Sequence, residues 1–364
     1  MKAKCKGRQS NFEFLRIVAM LMVISLHYLG HGGVLYNADI FSVNFFVSNL
    51  IESLCIFAVN IYVLISAYFL CDSKVNYKKI IKLWSQVSFY TIGIYIIISL
   101  ITDIKMNPLD LIKSIFPIVN MEYGFVSAYF ILVIISPFIN KLINSLNKRE
   151  YSILLVTILI IFNVLGIQLP IASITYSYFG NFVVLYLIAG YIKKYLNEFS
   201  LKKKHITVVF VGCVLAIFIG RILLYKINRG DIAYLLLKYN CVFVMGGSIA
   251  LFILFKSIDL GVNKKINYIS SLTFGVYLIH DNRYIRGILY DNILNTQRWF
   301  NSNYLIIDFI ISVVAIFIVC CLIEYIRSII FKILKLDTIL IKIVDRINNK
   351  LEEKTSTNYL MDRS

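Results

Sequence analysis

Long apolar stretches, broken at intervals by short polar ones, run the length of this 364-residue chain. A helix crossing a bilayer needs about 20 apolar residues, fewer where tilt or interfacial anchors help. Ten runs meet that description: Phe12–Leu29, Phe45–Leu70, Leu83–Thr102, Gly124–Ile139, Ser152–Leu169, Tyr176–Ile192, Ile206–Tyr225, Tyr234–Phe255, Ile266–Ile279 and Tyr304–Ile323, of which the fourth and ninth are short. The pattern predicts an all-α polytopic membrane protein of about ten transmembrane helices, forming one transmembrane domain over residues 1–334. In the tail, 335–364, Leu336, Ile339, Leu340 and Ile343 recur at helical spacing and read as an amphipathic surface anchor, followed by a polar stub.

Composition agrees. With 59% hydrophobic residues, 16% charged and a mean hydropathy of +0.78, the surface is not mostly water-facing. The net charge of +17 would suit nucleic acid, so its distribution decides. Lys2, Lys4, Lys6 and Arg8 precede the first run, and every second loop repeats the bias: Lys74, Lys78, Lys79 and Lys82; Lys141, Lys148 and Arg149; Lys193, Lys194 and Lys202 to Lys204; Lys256, Lys264 and Lys265. The opposite loops carry far fewer. By the positive-inside rule both termini are cytoplasmic, and the excess charge is explained by topology without a nucleic-acid partner.

A basic start before an apolar run also opens a signal peptide. Glu13 and Arg16 interrupt that run and no small-x-small site follows, so it reads as a retained span. Four prolines and no Pro-, Ser- or Gly-rich linker mark no second domain. The seven cysteines form no Cys-x-x-Cys pair and imply no metal, and no P-loop, dinucleotide fingerprint, HExxH or GxSxG element is present.

Ionisable groups inside spans are costly, so each is a functional candidate or half of a structural pair. Eleven steps of about 100° separate Arg16 from His27, within about 20° of three full turns, so the two share a helix face roughly 16 Å apart along the axis. Glu13, one turn before Arg16, can pair with it. A cation at the cytoplasmic edge and an imidazole deeper suit an anionic donor entering from the cytosol. Histidine can take a proton from a hydroxyl and return it to a thiolate near neutral pH. The plainer alternative is that Arg16 snorkels to headgroups and His27 caps a helix end.

Other candidates are weaker. Glu52 in the second run is expected to reach the His27 level and orient its ring, or to pair elsewhere. His280, beside Asp281 and Asn282, is expected at the outer face, as a helix-end cap or an acceptor contact. His31 is expected in a loop because Gly30, Gly32 and Gly33 surround it. Arg221 and Asp308 are intramembrane or interfacial charges expected to pair with each other, and His205 is expected to be solvated. Tyr123, Tyr176, Tyr178 and Trp299 offer sugar-stacking faces or, more simply, an interfacial aromatic belt.

Glu13-Phe-Leu-Arg16 followed by ten apolar residues and His27 resembles the first-span signature of the acyltransferase-3 family of integral membrane acyltransferases. Three further blocks agree: Ala58 to Leu70, Ser127-Ala-Tyr through Ser136-Pro-Phe-Ile-Asn140, and Ser271 to His280. The resemblance covers nearly the whole chain. It implies an acyl-CoA-dependent O-acyltransferase, with acetyl-CoA as donor, in a bacterial cytoplasmic membrane. A surface polysaccharide or lipid-linked sugar would be the acceptor, and membrane lipids the surroundings. His27 would be general base or acyl carrier, Glu13 would fix Arg16, and Arg16 would hold the donor's anionic end. Many members carry Arg-x-x-x-Arg after the second span; here Lys78-Lys-Ile-Ile-Lys82 keeps the charge but loses the bidentate guanidinium geometry. Asn60 stands where many relatives have Asp, which suggests a structural role. A glycan or lipid transporter or flippase is the alternative from another class, and a polymerase or ligase a third.

Overall fold

The computed structural model describes residues 8–73, 77–102, 106–165, 178–196 and 202–346. Lys2, Lys4, Lys6, Lys74, Tyr176 and the stub after residue 346 lie outside them. The described residues are helical, with no strand among them. The main helices are α1 (Ser10–Gly30), α2 (Val43–Cys55), α3 (Ala58–Leu70), α4 (Tyr77–Ile101), α5 (Gly124–Ser145), α6 (Lys148–Leu159), α7 (Tyr178–Tyr195), α8 (Lys203–Lys226), α9 (Val242–Lys256), α10 (Lys264–His280) and α11 (Leu305–Ile333).

Among the described residues, seven helical segments are long and apolar enough to cross a membrane: α1, α2 with α3 (Val43–Leu70), α4, α5, α8, Gly230–Lys256 and α11. The chain is a multi-pass membrane protein. The other three predicted runs are also helical where described, but they are shorter or less apolar. The fifth is α6 continued by a π-helix, Ile160–Leu165; the sixth is α7; and the ninth, α10, has 17 residues. The fourth run, expected to be short, extends as α5 to 22 residues.

Local chemistry sets the helix ends. Asn147 and Glu150 form a reciprocal capping box that starts α6, and the side chains of Ser42 and Asn263 cap α2 and α10. Inside α5, Pro137 has no N–H to offer the carbonyl one turn earlier. Ser136 Oγ donates to that carbonyl, Val133 O, at 2.8 Å, so the helix passes through the proline without an orphaned acceptor.

Around α1 pack α2, α3, α9, α10 and α11, which makes it the central helix of this half of the fold. Polar bolts reinforce the apolar contacts. Asn60, fully buried on α3, donates to Tyr239 O at 2.9 Å and accepts from Asn181 of α7 at 3.0 Å. Glu324 on α11 accepts from Tyr90 at 2.6 Å and Gln86 at 3.0 Å of α4, and from Arg327 through both of its oxygens. Helix 336–346 meets the start of α4: Tyr77 donates to Asp345 at 2.6 Å, and Lys82 pairs with Asp337 at 3.6 Å.

The conjectured Arg221–Asp308 pair does not form. Arg221 donates to Asn49 Oδ1 at 2.8 Å, whereas Asp308 accepts from Tyr28 Oη at 2.5 Å. Each charge found a polar partner on an adjoining helix, where a neutral hydrogen-bond partner suffices to satisfy it.

Candidate functional site

Along α1, Met20, Val23, His27 and His31 recur at three- and four-residue intervals and form one wall of a cavity of about 340 Å³. Arg16 lies one turn below Met20 on the same face. Tyr62 of α3 and Phe274 and Tyr277 of α10 line the opposite sides, with Tyr239 and Phe125. Asp281 and Arg286 complete the lining just beyond the end of α10. The volume suits a small substrate group, and aromatic walls with a few convergent polar groups are the usual makeup of such sites.

Below the cavity, Glu13 holds Arg16. Its buried carboxylate takes Arg16 Nη1 at 2.6 Å on one oxygen and Ser270 Oγ at 2.5 Å on the other. Tyr62, a wall residue, donates to Arg16 O at 2.8 Å, so the backbone at the cation is tied to the cavity.

At the other end, five ionisable groups converge. His27 Nδ1 lies 2.9 Å from His280 Nε2 and 3.6 Å from Asp281 Oδ1. His31 Nε2 and Arg286 Nε reach the same Asp281 oxygen at 3.2 and 2.9 Å. Burial would raise the Asp281 carboxyl, but His27, His31 and Arg286 outweigh it and hold the group below the usual carboxylate range. No protein hydrogen bond falls on His27 Nε2 among the described residues. His27, His31 and Asp281 bring one ligand atom each within 4.8 Å of one another, a spacing that a metal ion could bridge. The Arg286 guanidinium already neutralises the only carboxylate of that trio.

Several expected residues stand elsewhere. Glu52 does not orient His27: it shares its buried surroundings with Arg221 and leaves Oε2 without a partner. His280 ends α10 as a fully buried residue, with Nδ1 2.6 Å from Val276 O, and its ring also meets His27. His31 does follow the helix end, in the turn after Gly30, yet its ring joins the cluster. Lys78 and Lys82 lie at the start of α4, on neither wall of the cavity, and Asp337 occupies Lys82. Asn60 belongs to the α3–α7 bolt. Tyr123 is buried and donates to Leu278 O at 2.7 Å, so it is neither belt nor stacking platform. His205 is exposed. Asp281 and Arg286 were not singled out from the sequence; the only signal was an acid directly after the histidine that ends an apolar run.

The chamber thus carries an imidazole on the helix face that also bears a held guanidinium, within a bundle of long apolar helices. The family described as "Acyltransferase domain" matches residues 9–325 of the chain. The protein therefore belongs to the acyltransferase-3 family and is a membrane acyltransferase. No curated protein and no solved structure matches it.

Proposed function

We propose that the protein is an acyl-CoA-dependent O-acyltransferase that moves an acetyl group from acetyl-CoA to a hydroxyl of an extracytoplasmic or lipid-linked glycan. The observation that carries this reading is His27 lining a chamber on the α1 face that also bears Arg16. With both termini cytoplasmic, as the charge bias favours, Arg16 faces the donor side and His27 the acceptor side of a bacterial cytoplasmic membrane. Arg16, held by Glu13, meets the donor's anionic end, with Lys78 and Lys82 attracting its phosphates from the cytosol.

In the transfer, His27 Nε2 takes the proton from the acceptor hydroxyl as its oxygen bonds to the thioester carbonyl carbon. Collapse breaks the carbon–sulfur bond, and the imidazolium returns the proton to the coenzyme A thiolate. Arg286, whose Nη groups have no partner among the described residues, would meet the charge developing on the acyl oxygen. Aromatic walls at Tyr62, Tyr239 and Tyr277 offer the acceptor sugar stacking faces. The test is glycan acetylation in cells carrying His27→Ala at normal membrane abundance, measured by mass spectrometry. Undiminished acetylation would remove the mechanism, and a transporter reading would then predict no acetyl-CoA-dependent thiol release by the purified wild type.

A further inference from the structure

A carbonyl oxygen can only accept a hydrogen bond. Val276 O therefore requires a proton on His280 Nδ1, 2.6 Å away; the opposite assignment would press two lone pairs together at that distance. In the neutral ring the second nitrogen, Nε2, is then an acceptor. What faces it, at 2.9 Å, is His27 Nδ1. His27 must donate there, so its neutral form carries the proton on Nδ1 and the lone pair on Nε2, the nitrogen without a protein partner.

We infer that His280 is the positioning residue of this site: it locks His27 in the tautomer whose Nε2 can act as base. The inference rests on the acyltransferase reading above and assigns its orienting group to a second histidine. The chemistry explains why that group is neutral. His280 is fully buried at the end of α10, where an unpaired carboxylate would be expensive. The charge is kept one residue further on, at Asp281, with Arg286 and His31 as counter-groups. When Nε2 takes the acceptor's proton, the Nδ1–H to His280 persists, and Asp281 at 3.6 Å attracts the imidazolium. The proton then leaves Nε2 for the thiolate, and both rings return to their starting state.

The experiment compares wild type, His27→Ala, His280→Gln and His280→Leu at equal abundance in membrane vesicles carrying endogenous glycan, with acetyl-CoA added and free thiol release measured. Glutamine presents an amide oxygen to His27 Nδ1; leucine presents nothing. His280→Gln is expected to keep kcat within about tenfold of wild type, and His280→Leu to lower it by about 10²- to 10⁴-fold with KM for acetyl-CoA unchanged. Equal losses in the two variants, a leucine variant within about threefold of wild type, or a change confined to KM would overturn the role. Nitrogen-15 histidine spectra of the micelle-solubilised protein give a readout independent of turnover. His27 should show the Nδ1–H tautomer in wild type and in the glutamine variant, and a mixture in the leucine variant; an Nε2–H tautomer in wild type overturns the inference. Full activity in His27→Ala would instead sink the functional reading, and these spectra would still decide what His280 does.

Discussion

Glu13 Oε1 accepts from Arg16 Nη1 at 2.6 Å, and because Ser270 of α10 occupies the other oxygen, one buried acid both holds the cation of α1 and bolts α1 to α10. Removing the acid leaves Arg16 unpaired but still a quarter exposed, so water compensates in part. Glu13→Ala should cost about 1.5–3 kcal/mol, the range for hydrogen bonds to charged groups. The solubilised protein should melt a few degrees lower, and KM for acetyl-CoA should rise more than kcat falls. Glu13→Gln, which keeps an acceptor for Ser270, should lie between. A melting temperature unchanged in Glu13→Ala would show that the bolt carries no stability.

The Asp281 carboxyl predicts a specific acid response. Burial pushes it up, but His27, His31, Arg286 and His280 around it pull it below its ordinary value. A carboxyl depressed in the folded state stabilises above its unfolded pKa, near 3.9, and loses that contribution as pH falls toward the folded value. The melting-temperature gap between wild type and Asp281→Asn should therefore stay flat from about pH 8 to pH 5 and narrow below about pH 4. A gap that widens on acidification would mean that the site is held together without the ionised carboxylate.

The contrast between α1 and its partners shows what a sequence can reveal. Helical periodicity placed Arg16 and His27 on one face, and the cavity wall of Met20, Val23, His27 and His31 is that face, because the relationship is local and set by helix geometry. The helix that carries Glu52 was legible from its apolar run, but the surroundings of its side chain were not: helix packing buried it within reach of the Arg221 charge and away from the cavity that His27 lines. The His27–His280 contact joins residues 253 positions apart, and no short-range spacing encodes it. Asp281 and Arg286 escaped notice because, outside any apolar run, loop charges look ordinary until a fold gathers them around one imidazole.

Lys82 poses a question of competition. Its pair with Asp337 spans 3.6 Å between side chains that are 54% and 36% exposed, a contact worth about 0–1 kcal/mol and weakened by salt. Should Lys82 attract the donor's phosphates, Asp337 is its rival. Asp337→Ala should then lower KM for acetyl-CoA and Lys82→Ala should raise it, each by about two- to fivefold in low salt. Both effects should fade near 0.5 M salt, where screening shortens the reach of exposed charges. Unaltered KM in both variants would leave Arg16 as the donor's cation without help from α4.

Gly275 of α10 faces Glu324 of α11 so closely that an added Cβ would overlap Oε2 and fall 2.6 Å from Cγ. The carboxylate cannot retreat, since Tyr90, Gln86 and Arg327 hold its oxygens in a site that is 2% exposed. Gly93 of α4 is the control, because a Cβ there meets nothing within 4 Å. Alanine at Gly93 should be neutral or stabilise by up to about 1 kcal/mol through helix propensity. Alanine at Gly275 should destabilise by at least the roughly 1–3 kcal/mol typical of overpacking, and by more if Arg327 loses its partner. Thermal unfolding of the two variants in the same detergent separates the cases. Equal melting temperatures would mean that α10 and α11 can part without cost, and that the closeness at Gly275 is incidental to how the chamber's walls are held.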